Sequence, residues 1–225
     1  MMIEARQQFL NAGFYAPLVD ALAEVCGQYG ISSLLDAGCG EGYYSTALSE
    51  RGLQVAGLDI SKEGIMACSR RRKSMPWCIA SVADMPYMNA SFDAVLSIFC
   101  RVEPTEFARV TKPGGYMIYV GPTESHLSEL RNRLYDEVRS YESDKPEQYF
   151  SGFEQLQQRT VTIPLQLESA EQIENLLKMT PHYWSTNRQQ QERLFSAGPL
   201  IDQADIQIRV YQVPSDKTES VGAVG

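Results

Sequence analysis

The sequence predicts an α/β domain: a seven-stranded, mostly parallel sheet with helices on both faces. Three observations predict it. Apolar runs of strand length alternate with helical patterns, the order that builds strand–helix–strand units. The run Phe92-Asp93-Ala94-Val95-Leu96-Ser97-Ile98-Phe99 is almost continuously apolar, as a buried parallel strand requires. The stretch Leu34-Leu35-Asp36-Ala37-Gly38-Cys39-Gly40-Glu41-Gly42-Tyr43-Tyr44-Ser45 carries a strand into a helix through three glycines at alternate positions. Such a loop turns sharply and lets a ligand approach with no Cβ in the way.

Taken in order, Ile3 to Gly27 reads mainly as helix, interrupted at Gly13 and restarted near Pro17, with Tyr15 in the break. Residues 1–30 would then form a helical cover placed before the first strand. Ser33 to Ala37 is the first strand, and Tyr43 to Glu50 the next helix, stopped at Gly52. Leu53 to Leu58 is the second strand and ends in Asp59, which lies 23 residues after Asp36. That is close to the ~20 of the ribose-binding acid in doubly wound folds. A helix-capping role for Asp59 stands beside the ribose reading, since Ser61 and Lys62 open the following helix. That helix ends in Arg70-Arg71-Arg72-Lys73, a solvated helix end or an RNA contact.

Trp77 to Ala80 is the third strand, followed by the loop Ser81-Val82-Ala83-Asp84, and Phe92 to Phe99 the fourth. A short helix from Thr105 to Val110 meets Lys112-Pro113-Gly114-Gly115, a turn before a fifth strand, Tyr116 to Val120. Glu124 opens a long helix to about Ser140, and Glu142 to Gly152 is loop-like. Arg159 to Leu165 alternates and reads as a strand, Pro164 suggesting an edge or a bulge. Ser169 to Met179 is a helix opened by a Ser169–Gln172 capping box, and Arg188 to Phe195 is another. Ala204 to Val213 alternates as a last, antiparallel strand, and 214–225 reads as a disordered tail after a single domain over 1–213.

Composition bounds the rest. The chain has 225 residues, 44% of them hydrophobic and 10% aromatic, as in soluble globular proteins. No apolar run reaches the ~18 residues of a membrane span, and the N-terminus lacks a signal peptide's apolar core, so the cytoplasm is the expected location with no membrane partner. Cys26, Cys39, Cys68, Cys78 and Cys100 show no zinc-ribbon spacing and fit reduced thiols; no metal is expected. A net charge of −8 argues against whole-surface affinity for nucleic acid and leaves a local basic patch open.

The glycines read G-x-G-x-G with Glu41 inside the loop, not the dinucleotide pattern G-x-G-x-x-G. A carboxylate there would repel a pyrophosphate and suits a ligand bearing an ammonium or sulfonium charge. Together with Asp36 and Asp59, the loop is similar to motif I of the class I S-adenosylmethionine-dependent methyltransferases, which have a Rossmann-like fold. The Lys112-Pro113-Gly114-Gly115 turn also recurs in them. That resemblance implies S-adenosylmethionine as cofactor, with Asp36, Gly38, Gly40, Glu41 and Asp59 at its site and Ser81, Val82 and Ala83 along the adenine.

Further segments carry a closer resemblance: Ala5-Arg6-x-x-Phe9-Leu10-x-Ala12-Gly13-x-Tyr15-x-Pro17-Leu18, Glu106-x-Ala108-Arg109-Val110-x-Lys112-Pro113, His126-Leu127-x-Glu129-Leu130 and Leu176-Leu177-x-Met179-Thr180-Pro181-x-x-Trp184. From about Ala5 to Val213 the chain resembles the catalytic domain of the bacterial 23S rRNA guanine-N1 methyltransferases. The resemblance implies cofactor contacts from Tyr15, Gly40, Glu41, Asp59 and His126, and rRNA as partner. That family carries an N-terminal zinc ribbon with paired cysteines. This sequence starts where the ribbon's linker would end and has no replacement cysteines, which leaves the target open.

For the chemistry, Tyr15, Tyr44 and Phe99 are candidate π-faces for the sulfonium. Glu103, beyond the fourth strand, is the candidate general base for the proton on guanine N1, with a solvated loop acid as the plainer reading. Arg101, Arg131 and Arg133 are candidate phosphate contacts and Trp184 a candidate stacking residue. Two other functions stand beside rRNA methylation: a small-molecule methyltransferase and a non-catalytic module that binds the same cofactor. A dimer is also open.

Overall fold

The computed structural model describes residues 2–136 and 149–215. Among these, α1 is Met2–Asn11, α2 Ala16–Gln28, β1 Ser33–Ala37, α3 Tyr43–Glu50, β2 Gln54–Asp59, α4 Lys62–Arg71 and β3 Trp77–Ile79. They are followed by β4 Phe92–Ile98, α5 Pro104–Val110, β5 Thr111–Pro122 and α6 Ser128–Leu134. The chain then forms β6 Glu154–Leu167, α7 Ala170–Lys178, α8 His182–Ser185, α9 Arg188–Ser196 and β7 Leu200–Gln212. The sheet has seven strands in the order β3-β2-β1-β4-β5-β7-β6. The fold is the Rossmann-like class I methyltransferase architecture that the sequence predicts.

The first five strands pair in parallel, with Leu35 beside Ala56 on one side and Val95 on the other. Strand order therefore reverses at β1, which pairs with both β2 and β4. The crevice beyond the carboxyl ends of β1 and β4 is the topological switch point, where open parallel sheets bind ligands. Val213 exchanges backbone hydrogen bonds with Gly114 and Gly115, and Thr123 donates to Asp205. Partner numbers fall as the chain rises, so β7 runs antiparallel to β5. β6 closes the sheet as an edge strand, which explains how it tolerates Pro164.

Two compact units can be distinguished. Among the described residues, one comprises 22–121, 149–159 and 207–215. Its core joins Leu35, Leu58, Val95, Phe107, Met117 and Tyr211, all nearly or fully buried. The β1, β4 and β5 starts are tied by Asp93, which accepts from the Ser32 and Ser33 amides at 3.0 and 2.8 Å and from Lys112 Nζ at 2.6 Å. The other unit comprises, among the described residues, 2–21, 122–136 and 160–206. There α7 presents Ile173, Leu176 and Leu177 as a buried stripe, and Asn175 donates to Gln8 of α1 at 3.0 Å. The Ser169–Gln172 capping box forms as its spacing predicts.

Strands β6 and β7 start earlier than the sequence reading placed them, at Glu154 and Leu200, and two further elements differ in layout. The helix expected from Glu124 starts at Ser128 and ends at Leu134. Leu127 sits at φ 52°, a left-handed conformation that a continuous helix cannot pass through, and its amide donates to Gln203. Asp202 of β7 caps the new start, accepting from the Glu129 and Leu130 amides at 3.2 and 2.8 Å. Strand β5 begins at Thr111 and absorbs the Lys-Pro-Gly-Gly segment as a bulge: Phe92 pairs with Thr111 and Ala94 with Tyr116. Residues 137–140 of the expected helix, 142–148 of the expected loop and 216–225 of the tail lie outside the described residues.

Candidate cofactor site

The site grows out of β1. Asp36, its penultimate residue, is buried at 1% exposure, and its carboxylate accepts from Ser45 Oγ at 2.5 Å. That bond joins the strand to the first turn of α3 and fixes the two ends of the glycine loop. Gly38 takes φ 86°. A Cβ there would lie 2.2 Å from Cys100 Sγ, so glycine is required both by the backbone and by the close approach of the β4 end. Gly64 of α4 is likewise pressed on the loop, its missing Cβ lying 2.6 Å from the Gly40 carbonyl oxygen.

Four of the loop amides are bonded inside the protein. Gly38 and Cys39 donate to Leu58 O at 2.7 and 3.0 Å, and Gly42 to Cys39 O at 3.0 Å. Gly40 donates to Asp59 at 2.8 Å. Three carboxylates surround the loop: Asp36, Asp59 and Glu41, the last fully buried. Burial first, then the Asp59 charge, pushes the Cys100 thiol up to about 11. Spent donors and clustered acids disfavour a phosphate. They fit a ligand that brings hydroxyls and a positive charge and no phosphate.

Asp59 ends β2 with both oxygens engaged, one by Gly40 and the other by the Ser61 amide at 2.7 Å. Ser61 itself caps α4, accepting from Gly64 at 3.1 Å. The cap of α4 is therefore Ser61 and not Asp59, whose half-buried carboxylate retains lone pairs for a further donor. Ser81 Oγ accepts from the Ala83 amide at 3.1 Å and Ser81 O from Asp84 at 3.1 Å, so 81–84 is a tight turn with Val82 at its tip. Ile60, which the sequence reading did not single out, is 76% exposed directly after Asp59.

Beyond β4, Glu103 stands at the N-cap of α5 and pairs with Arg101 at 2.6 Å. Arg101 is 79% exposed at its side chain and Glu103 25%. The pair sets a carboxylate and a guanidinium side by side just beyond the end of β4.

Tyr15 and His126 belong to the other unit. Tyr15 is buried between the first two helices with its ring edge-on to Phe9, and burial raises its phenol above the usual range. His126 Nδ1 lies 3.1 Å from the Asp205 carbonyl oxygen, which can only accept; the neutral ring therefore carries its hydrogen on Nδ1. Burial lowers its pKa to about 4. Arg131 is not an outward phosphate contact: it is buried at 7% and donates to the Glu124 carbonyl. Arg133 is bound to Glu129 and to the Gly198 carbonyl. Trp184 is exposed, in contact with Tyr183.

The switch-point fold, glycine loop and paired strand-end acids define a class I S-adenosylmethionine-dependent methyltransferase, and residues 35–119 match the family model described as a methyltransferase domain. More particularly, the chain belongs to the methyltransferase family that includes the bacterial 23S rRNA guanine-N1 enzymes. YxjB of Bacillus subtilis, provisionally named a 23S rRNA (guanine-N(1)-)-methyltransferase, is 34% identical over 82% of this chain and 70% of its own length. The 23S rRNA (guanine(748)-N(1))-methyltransferase of Streptomyces fradiae is 26% identical over 92% of this chain and 77% of its own. A malonyl-[acyl-carrier protein] O-methyltransferase of Serratia marcescens is 32% identical over 43% of this chain and 41% of its own. The structure of YcgJ from Bacillus subtilis shares the fold, with TM-score 0.60 at 14% identity, covering 88% of this chain and 98% of that one. Among the described residues no helix is long and apolar enough to cross a membrane.

Proposed function

We propose that this enzyme methylates N1 of a guanine in 23S rRNA. One observation carries the reading: likeness to two of the rRNA guanine-N1 enzymes extends over 82 and 92% of the chain and to a third over 59%, whereas the malonyl-[acyl-carrier protein] enzymes are alike over 43 to 61%. The cofactor-binding half is common property of the class. The remainder of the chain, where acceptor recognition has to reside, follows the rRNA enzymes.

When bound, S-adenosylmethionine supplies an electrophilic methyl on a sulfonium, and the new bond from nitrogen forms as the carbon–sulfur bond breaks. The chain's residues do the rest. Asp59 would accept the ribose hydroxyls while keeping the Gly40 amide, so ligand and loop are held by one carboxylate. Ile60 and Val82 would offer apolar surface to the adenine, and Ser81 fixes the turn carrying Val82. Asp36 acts on the loop through Ser45. Glu41 adds negative charge that favours the ligand's cationic end. Glu103, paired with Arg101, is the group we assign to take the N1 proton. The resemblance also implies cofactor contacts from Tyr15 and His126, and substitution at each, read out as cofactor affinity, tests them one by one.

Incubating the protein with methyl-labelled S-adenosylmethionine and unmodified 23S rRNA, then digesting to nucleosides, tests the proposal. The expected product is labelled 1-methylguanosine. Label confined to a metabolite extract would select the small-molecule alternative, and no label in either would leave a binding module.

A further inference from the structure

The geometry points to Phe99 as the residue that stacks on the acceptor base and orients it toward the methyl group. The inference rests on the RNA-methylation reading above and deepens it. Phe99 directly follows β4, the strand next to β1 at the switch point. The glycine loop forms the β1 side of that crevice. The β4 end reaches it through Cys100, whose Sγ stands where a Gly38 Cβ would be. Phe99 therefore sits one residue from the contact that joins the two sides.

Its backbone is unusual. Phe99 takes φ 51°, a left-handed conformation that is an outlier for a bulky residue and, in this unit, is otherwise shared only by Ala90 among described non-glycine residues. Neighbours fix it there. The Phe99 amide donates to Val120 O at 2.9 Å, and Ser97 Oγ donates to the Cys100 carbonyl at 3.2 Å. A strained conformation persists where the surroundings over-determine it, and such strain concentrates at functional sites. Here its result is an aromatic ring left 40% exposed at the mouth of a ligand crevice, where a glycine would have satisfied the backbone without strain.

In-line transfer explains the use. Positioning supplies most of the acceleration, and a planar base is oriented by a ring against its face. Glu103, four residues on, then lies on the same segment as the ring, so one short stretch after β4 would hold the base and receive its proton.

Phe99→Gly, Phe99→Leu and Phe99→Trp test this with unmodified 23S rRNA as acceptor, beside calorimetric affinities for S-adenosylmethionine and S-adenosylhomocysteine. Glycine relieves the backbone strain, and its thermal midpoint against wild type verifies folding. The expected result is a fall of roughly 10- to 100-fold in kcat/KM for RNA in the glycine and leucine variants, recovery to within about threefold in the tryptophan variant, and unchanged cofactor affinities. RNA kinetics unchanged in the glycine variant would overturn the assignment. So would weaker binding of the sulfonium form alone, which would place Phe99 on the cofactor. A wild-type enzyme that labels no RNA would instead refute the acceptor reading, and this assignment with it.

Discussion

Asp59 and Gly40 are joined by a 2.8 Å hydrogen bond from the loop amide to the strand-end carboxylate. The second acid of the site thus shapes the glycine loop before any ligand arrives. Asp59→Ala should release the Gly40 amide, and its hydrogen exchange should quicken by about tenfold or more, the equivalent of a charge-assisted bond of ~1.5–3 kcal/mol. Asp59→Asn, which keeps one acceptor oxygen, should fall between. Exchange unchanged in both would detach the acid from the loop.

Gly38 and Gly13 separate two costs of adding a methyl group. Both have left-handed φ, 86° and 87°. At Gly38 the new Cβ meets Cys100 Sγ at 2.2 Å, and at Gly13 it meets nothing within 4 Å. Gly13→Ala should cost about 1 kcal/mol from backbone conformation alone. Gly38→Ala adds overpacking of about 1–3 kcal/mol. Chemical denaturation of the two variants should show that gap, and equal losses would contradict the tight β1–β4 contact.

Asp93 gives an acid-dependent contribution. Burial opposes its ionisation, but hydrogen bonds from Lys112, Ser32 and Ser33 outweigh it and hold the carboxyl below its usual range. In the unfolded chain it titrates near ~3.9. The stabilisation is therefore complete above about pH 5 and is lost as pH falls through 4 and below. Asp93→Asn should cost roughly 1–3 kcal/mol at pH 7, with the difference from wild type shrinking at pH 3. A difference independent of pH would rule this out.

His126 has the opposite chemistry and the same direction in pH. Its folded pKa of about 4 lies below the unfolded ~6.5, so between these values the unfolded state binds the proton and stability falls as pH falls. Below about pH 4 both states are protonated and the term levels off. Nitrogen-15 spectra should show a neutral Nδ1–H ring at pH 6; a cationic ring there would refute the buried assignment.

Local signals carried most of the fold. The bounds of β1 and α3 and the Ser169–Gln172 box were readable because each depends on near neighbours in sequence. Contacts between distant segments were not. Nothing near Leu127 signals that Asp202, far along the chain, caps α6 and sets its start. The bulge at Lys112-Pro113-Gly114-Gly115 needs Val213 to hold it. At the site, the acids and glycines stood out by spacing, while the internal use of the loop amides depends on Leu58 and Asp59. The left-handed turn at Phe99 was hidden, since a phenylalanine ending an apolar strand gives no sign of positive φ.

Calorimetric titration with S-adenosylhomocysteine, wild type beside Asp59→Ala, tests the central claim most directly. The account predicts one site per chain in the wild type and a loss of roughly 1–3 kcal/mol in the variant, from a charged hydrogen bond to the ribose. No heat with the wild type, or equal affinity in both proteins, would contradict it.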